Sequence, residues 1–179
     1  TNTVTSHVAE VNGEIVSTFI INMDPDGNNN SLYSTNGNKK IIGDASGGTA
    51  AAAQFTRITT AVNGVVYKAE ATVSLALAGG EGIVGIAYNS GIRAQGDDYD
   101  NTGSGSDSGA SLLSLSAMGS APAAGYRKET SSASTLTGGL ANQYLYLYNA
   151  SGSGGGSTWT AYTAGVIVLK LYGIKDTWS

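Results

Sequence analysis

Few side chains in this sequence could do chemistry, and the first of them is a single histidine, His7. A Ser-His-Asp triad needs its imidazole inside a cleft beside a serine, and the Gly-x-Ser-x-Gly nucleophile elbow does not occur in the chain. Cysteine is also absent, which removes thiol nucleophiles, disulfides and thiolate metal sites. We therefore expect His7 to be a surface or strand-end residue and the protein not to be an enzyme.

Carboxylates offer a second kind of chemistry, because glycoside hydrolysis uses two acids that face each other across a groove. The acids on predicted strands are Glu14 and Glu70, whereas Asp97, Asp98 and Asp100 cluster in a Gly/Ser-rich stretch. Carboxylates in such stretches usually stay solvated. The pattern therefore favours a non-catalytic protein.

Oxygen ligands for a hard cation occur in two places. In the polar stretch that follows the first predicted strands, side chains with oxygen ligands occupy every second position, at Asp24, Asp26, Asn28 and Asn30. This loop does not match an EF-hand, because its glycine comes too early, no glutamate closes it and no flanking helices are predicted. A second oxygen-rich cluster consists of Asp97, Asp98, Asp100 and Asn101. For each, the two interpretations are calcium coordination and a turn stabilised by Asx hydrogen bonds; no other cofactor is predicted.

Tyrosine is the third chemical feature, with ten residues against two phenylalanines and two tryptophans. Tyr144, Tyr146 and Tyr148 alternate with Leu145 and Leu147, which predicts a strand with its leucines inward and its tyrosines outward. Exposed tyrosines stack on sugars or anchor protein interfaces. Half-buried ones pack beneath a loop, so core packing, a subunit interface and sugar binding are the three alternatives.

The elements that must position these residues are predicted to be strands. Glycine accounts for 26 of 179 residues, and charged residues make up 12%, against about 25% in ordinary globular proteins. Glycine and short polar side chains disfavour helices, and no segment has sustained helical periodicity. Asn-Gly dipeptides suit type I′ turns, so Asn12-Gly13 predicts a hairpin of 4–11 with 14–21.

The dipeptide Asn63-Gly64 predicts a second, longer hairpin within 54–77. Residues at alternate positions on both sides of this turn are expected to line one buried face; they are Ile58, Val62, Val65, Tyr67, Val73 and Leu75. Further short strands are predicted at 83–88, 91–94, 111–115, 125–130 and 143–148. The last strand, 165–172, is expected to place Ile167, Leu169 and Leu171 on one face and Val166, Val168, Lys170 and Tyr172 on the other.

These elements predict one all-β domain over residues 1–179, an antiparallel β-sandwich of the jelly-roll-like kind. The Gly/Ser-rich stretches near 95–109 and 149–158 are expected to be flexible loops. The net charge of −4 provides no basic face for phosphates, so no direct nucleic-acid partner is expected. No segment approaches the ~18 apolar residues of a membrane span, so no membrane association is expected either.

Three stretches carry a family resemblance. They are FTRITTAVNGVVYKAE at 55–70, LANQYLYLY at 140–148 and YTAGVIVLKLYG at 162–173. The chain resembles virion structural proteins of tailed phages, particularly small capsid-associated proteins of marine and cyanobacterial phages. The resemblance implies a β-sandwich that decorates or cements the capsid, with no catalytic residues. It implies the major capsid protein and sister subunits as partners, a homo-oligomer such as a trimer, and a location in the virion after assembly in the host cytoplasm.

Three non-enzymatic functions follow from these observations. In the first, a decoration protein buries apolar strand faces against sister subunits or the shell; the residues expected at this interface are Tyr144, Tyr146, Tyr148, Val166, Val168 and Tyr172. In the second, a carbohydrate- or receptor-binding sandwich uses tyrosines and aspartates in loops, either with or without calcium. Glycan binding that is lost on chelation would favour the second function. A subunit of an extracellular fibre or surface layer is a third alternative.

Overall fold

The computed structural model describes residues 4–25, 31–35, 37, 39–43, 53–80, 83–98, 109–115, 122–130, 139–150 and 159–175. Their strands form two antiparallel sheets whose inner faces share one apolar core. The predicted all-β antiparallel sandwich is confirmed. The finer jelly-roll description stays a prediction.

Ten strands and one short helix make up the described part of the chain. In chain order they are β1 (Val4–Val11), β2 (Glu14–Asn22), β3 (Tyr33–Thr35), β4 (Thr56–Arg57), α1 (Thr60–Asn63), β5 (Val65–Gly79), β6 (Val84–Asn89), β7 (Ala110–Leu115), β8 (Arg127–Glu129), β9 (Tyr144–Asn149) and β10 (Trp159–Ile174). The larger sheet has the order β1-β2-β10-β5-β8, and β3 pairs with the first residues of β10. The smaller sheet has the order β4-β9-β6-β7.

The first predicted hairpin is confirmed. β1 and β2 pair from Val4↔Ile21 to Val11↔Glu14 without a register shift. The turn residues Asn12 and Gly13 have φ values of 53° and 81°, the left-handed region that a type I′ turn requires. β1 thereby becomes a terminal strand of the larger sheet.

The hairpin predicted at Asn63-Gly64 is wrong. β4 pairs with β9 in the smaller sheet, β5 pairs with β10 and β8 in the larger sheet, and α1 crosses between the sheets. Asn63 is buried; its Oδ1 accepts a hydrogen bond from Thr59 N (2.9 Å) and its Nδ2 donates to Ser17 Oγ (2.8 Å). A Cβ on Gly64 would lie 2.6 Å from the carbonyl oxygen of Ile174. The Asn63-Gly64 dipeptide therefore lies in a tight connection between the two sheets and does not form a hairpin turn.

The buried face predicted for this region is also mostly wrong. Ile58 and Val73 are buried, but four of the six residues are about half exposed; these are Val62, Val65, Tyr67 and Leu75. The residues of β5 that reach the core are Val66, Ala69, Ala71 and Val73. Register shifts against β10, one between Val66 and Lys68 and one between Val73 and Leu75, change which residues face inward.

The core lies between the two sheets. β10 contributes Ile167, Leu169 and Leu171 from the larger sheet, as the sequence predicted, and the smaller sheet contributes residues such as Leu145 and Leu147. Burial of an aliphatic side chain of this size contributes roughly 1.5–3 kcal/mol. The shared core holds both sheets in one unit over the described residues.

Several smaller predictions also differ from the structure. Residues 91–94, predicted as a strand, do not form one, and β3 lies in the polar stretch after Asp24, where no strand was predicted. Gln95 is only 4% exposed, so the described beginning of the first Gly/Ser stretch packs against the sandwich. Residues 99–108 and 151–158, where flexible loops were predicted, lie outside the described residues.

Within the ranges described above, no helix combines the length and the apolar character needed to cross a membrane.

Candidate functional site

The outer face of the larger sheet is the best candidate for a binding surface. β10 lies in the interior of this sheet, between β2 and β5, and its outward-facing side chains are Val166, Val168, Lys170 and Tyr172. All four are partly exposed, while the alternate residues of β10 are buried in the core. The predicted division of β10 into two faces is confirmed.

An apolar patch occupies one half of this outer face. Val168 pairs across strands with Ile20 of β2, and Val166 pairs with Leu75 of β5. Ile20 is 44% exposed and Leu75 is 50% exposed. These four residues, Ile20, Leu75, Val166 and Val168, are called the outer patch below. The described residues leave this apolar surface in contact with solvent.

An ion-pair cluster occupies the other half of the outer face. Glu70 of β5 lies directly opposite Glu129 of β8, an arrangement of like charges that is unfavourable without nearby cations. Arg127 Nη2 lies 2.6 Å from Glu70 Oε2, and Lys68 Nζ lies 2.9 Å from Glu129 Oε2. The ammonium of Lys68 also lies 5.3 Å from the ring centroid of Tyr172, which favours a cation-π contact. The cations therefore compensate the two opposed carboxylates.

The ionisation of these groups follows from the same contacts. The hydrogen bond from Arg127 lowers the pKa of Glu70, whose side chain is only 12% exposed. The hydrogen bond from Lys68 likewise lowers the pKa of Glu129. Burial, and then the charge of Glu70, raise the pKa of Tyr172. Both carboxylates are thus held ionised beside a neutral phenol.

The outer face of the smaller sheet is different, because chain segments cover it. Tyr146 and Tyr148 of β9 are 0% and 4% exposed and pack with Ile41 in a second apolar cluster. The hydroxyl of Tyr146 donates to the Gly91 carbonyl oxygen (2.7 Å) and accepts from Arg93 N (2.9 Å). Burial raises the pKa of Tyr146. The predicted division of β9 into inward leucines and outward tyrosines is confirmed, and core packing is the one of the three alternatives that holds for Tyr146 and Tyr148.

Tyr144 and Tyr148 complete this face. The hydroxyl of Tyr148 lies 2.7 Å from Ser111 Oγ on β7, and either oxygen can donate. Tyr144 is partly exposed, and the guanidinium carbon of Arg57 lies 5.3 Å from the centroid of its ring. The sequence allowed for packing of these tyrosines beneath a loop, but a strand pattern contains no information about which loop packs over its second face.

The residues predicted to form one interface thus lie on two different sheets. Val166, Val168 and Tyr172 lie together on the outer face of the larger sheet, and Tyr144, Tyr146 and Tyr148 lie on β9 of the smaller one. Ile20 and Leu75 were not predicted as interface residues. The alternation in β2 could have identified Ile20, whereas Leu75 required knowledge of the register shifts in β5.

The first predicted cation loop is only partly described. The carboxylate of Asp24 accepts a hydrogen bond from Ser31 Oγ (2.7 Å), and its backbone N–H donates to Asn22 Oδ1 (3.2 Å). The other predicted ligands, Asp26, Asn28 and Asn30, lie outside the described residues. Calcium binding at this loop stays a prediction.

The second oxygen-rich cluster uses its described carboxylates in contacts within the chain. Asp97 Oδ2 accepts a hydrogen bond from Ala94 N (2.9 Å), and Asp98 Oδ2 lies 3.1 Å from Lys40 Nζ. Asp100 and Asn101 lie outside the described residues. Over the part of the chain that the structure describes, no group of three or more His, Cys, Asp or Glu side chains is arranged to hold a metal ion.

Comparisons of the chain with protein-family models, with curated proteins and with solved structures found no match.

Proposed function

We propose that this chain is a non-enzymatic structural protein of a phage virion, which decorates or cements the capsid through repeated protein-protein contacts. The observation that carries the proposal is the outer face of the larger sheet, where an exposed apolar patch lies beside an ion-pair cluster. The resemblance of 55–70, 140–148 and 162–173 to phage virion proteins is the reason for proposing a capsid as the assembly.

The composition of this face supports contact with a protein. Interfaces typically combine an apolar centre, which excludes water, with a polar rim that fixes orientation. The outer patch supplies four aliphatic side chains on a rigid sheet, and the ion-pair cluster supplies charges of both signs. Because the residues lie on paired strands, little backbone entropy is lost when a partner binds.

Repetition compensates for the small size of such a patch. A capsid presents the same site many times in a symmetric array, so linked subunits gain effective concentration without any single strong contact. The partners in this proposal are the major capsid protein and sister subunits in a homo-oligomer, for example a trimer. The location is the virion.

The carbohydrate-binding alternative has less support in the structure. Sugar stacking needs an exposed aromatic face, and Tyr146 and Tyr148 are buried. Tyr144 is partly exposed, but Arg57 lies over its ring. The tyrosines of β9 therefore offer little exposed aromatic surface for sugar stacking, although Tyr67 on β5 is 45% exposed.

The proposal is tested by peptide mass spectrometry of gradient-purified phage particles from infected cultures. We expect peptides of this chain to co-purify with particles, at a copy number that is a simple ratio to the most abundant shell protein. Peptides found in the lysate but absent from purified particles would contradict the proposal.

A double variant and a single-charge control test the proposed surface. Ile20→Lys and Val168→Lys together place two charges in the outer patch and are expected to abolish incorporation into particles. Ile92→Lys is the control, because Ile92 is also exposed (59%) but follows β6 of the smaller sheet. Equal incorporation of both variants would exclude the outer patch as the contact surface.

A further inference from the structure

β1 is a terminal strand that, among the described strands, pairs on one side only. Its eight residues, Val4–Val11, pair with β2, and no described strand pairs with its other edge. An unpaired edge presents a row of backbone N–H and C=O groups that can template pairing with another chain. The direction of each backbone group along β1 therefore decides what this edge can bind.

The hairpin register identifies the backbone groups that are free. Val11 and Glu14 flank a two-residue turn, so they exchange both backbone hydrogen bonds. Hydrogen-bonded pairs alternate along an antiparallel ladder, so the backbone groups of Ala9, His7 and Thr5 also bond to β2. The remaining residues of β1 point their N–H and C=O groups away from the sheet; they are Val4, Ser6, Val8 and Glu10.

An independent hydrogen bond agrees with this alternation. Met23 N donates to the Gly165 carbonyl oxygen (2.9 Å), so the odd-numbered residues of this segment bond toward β10. The even-numbered residues of β2 consequently bond toward β1.

The usual devices that block an edge are weak on β1. Native sheets protect their edges with proline, lysine, bulges or covering segments. β1 contains neither proline nor lysine, and its pairing with β2 has no bulge. Its charged residue Glu10 is compensated, because Lys175 Nζ lies 3.0 Å from Glu10 Oε1. No fixed net charge therefore opposes the approach of a second strand.

The side chains next to this edge are also uncovered. Val8 is 43% exposed although it points to the same side of the sheet as the buried Ser17, its partner on β2. A cavity lined by Val8, Ile15 and Val62 lies beside it, between the hairpin and α1. The inner side of β1 is thus accessible to side chains of another molecule around Val8, whereas Val4 packs partly buried against the core.

We propose that the occupant of this edge is β1 of a second copy, paired antiparallel about a two-fold axis at His7. In this register each copy's Ser6 exchanges both backbone bonds with Val8 of the other copy, and Val4 does so with Glu10. This register uses the backbone groups of all four free residues. A shift by two residues would leave a residue at the end of β1 without its partner. A shift by one residue would set backbone groups that bond to β2 opposite groups that are free. The larger sheet then continues across the two-fold axis.

The charges along the edge suit a second copy. The two His7 side chains face each other at the axis, and Glu10 lies opposite Val4, so no two carboxylates or ammonium groups are opposed. Isologous contacts of this kind are the commonest basis of homodimers. The biological purpose of this pairing rests on the proposed structural role. The pairing itself uses the edge of β1, which is a different surface from the outer patch.

A charge swap at the axis tests the register. Each variant is measured at pH 8 by multi-angle light scattering over a concentration series. His7→Lys places two ammonium groups opposite each other and His7→Glu places two carboxylates there, so each variant alone is expected to dimerise about fivefold more weakly than the parent chain. An equimolar mixture pairs Lys with Glu and is expected to recover the parent affinity as a heterodimer. A parent chain that stays monomeric, or variants that dimerise equally well alone and mixed, would overturn the proposal.

Proline at a free N–H provides a second test. Val8→Pro removes a donor that points away from β2, so the fold is expected to persist while dimerisation weakens by at least about tenfold, because the bond is lost twice by symmetry. Val8→Ala keeps the N–H and is expected to dimerise like the parent chain. Circular dichroism checks that both variants are folded. Equal dimerisation of the proline and alanine variants would contradict pairing at this edge.

The two proposals fail in different ways. Val8→Pro chains that stay monomeric but still join particles would separate edge pairing from virion attachment. Dimers that depend on His7 but never co-purify with particles would retain the edge pairing and reject the virion role.

Discussion

β9 and β10 have similar sequence patterns and opposite surroundings. Both alternate aliphatic residues with a second row that includes tyrosine, and both direct their aliphatic row into the common core. The second row of β9 is covered by a segment containing Ile41 and by the chain around Gly91. The second row of β10 is covered by no described segment and forms the outer face of the larger sheet.

This difference shows where strand alternation stops being informative. A period of two assigns residues to the two faces of a sheet, but burial of the second face depends on segments distant in sequence. Tyr146 is hydrogen-bonded to Gly91 and Arg93, more than fifty residues earlier in the chain. Similar patterns therefore give a second small core in one sheet and a solvent-facing surface in the other.

The largest expected difference between the two faces concerns truncation of a tyrosine. Tyr146→Ala removes a fully buried ring and two hydrogen bonds, so we expect it to lower the free energy of unfolding by about 3–5 kcal/mol. Tyr172→Ala, on the outer face, is expected to cost about 1 kcal/mol. Urea denaturation of both variants measures the difference, and equal losses would mean that the two faces are equally covered.

Removal of one oxygen atom sharpens the same comparison. Tyr146→Phe keeps the ring but leaves the Gly91 carbonyl and the Arg93 N–H without the hydroxyl, at a cost of about 1–3 kcal/mol. Tyr172→Phe is the matched control, because the Tyr172 hydroxyl makes only a long contact of 3.5 Å with Glu70. Chemical denaturation should show little change for the control. A loss in the control as large as in Tyr146→Phe would contradict the assignment.

The ion-pair cluster makes the outer face sensitive to acid. The pKa of Glu70 is lowered in the folded state by Arg127, so its contribution to stability is present above the unfolded-state pKa of about 4.3 and is lost as pH falls through the folded-state value. Glu70→Gln should therefore cost less than about 1 kcal/mol at pH 7 and flatten the decline in stability below about pH 5. Thermal unfolding from pH 3 to pH 8 measures this, and an unchanged acid limb in the variant would exclude Glu70 as its source.

The smallest expected effect on stability is in the outer patch. Ile20→Lys at a 44% exposed position should change the free energy of unfolding by no more than about 0.5 kcal/mol. Ile41→Lys, within the buried cluster that contains Tyr146 and Tyr148, should destabilise the fold strongly because it buries an unpaired charge. Denaturant midpoints compare the two, and a strong loss for Ile20→Lys would show that the outer patch is internal.

The sequence predicted the elements whose signals are local. The Asn12-Gly13 hairpin and the two faces of β10 were recognised because turn chemistry and alternation act over a few residues. The hairpin at Asn63-Gly64 was predicted wrongly for the same reason, because a local turn signal contains no information about the hydrogen bond from Asn63 to Ser17, which is distant in sequence. Within the candidate site, Val166, Val168 and Tyr172 were identified from alternation.

The remaining parts of the site needed tertiary information. The ion-pair cluster depends on pairing of β8 with β5, which brings Arg127 to Glu70 across 57 residues. Leu75 reaches the outer patch through register shifts that no sequence pattern displays. The cover over Tyr146 and Tyr148 comes from the chain around Ile41 and Gly91, and no local sequence pattern in either segment indicates that it packs on β9.

The most direct test of this account is hydroxyl-radical footprinting of the chain free in solution and bound to particles. We expect Ile20, Leu75 and Val168 to be oxidised in the free chain and protected on the particle, whereas Tyr146 stays unreactive in both states. Equal oxidation of the outer patch in the two states, or protection that appears only on the smaller sheet, would contradict the account.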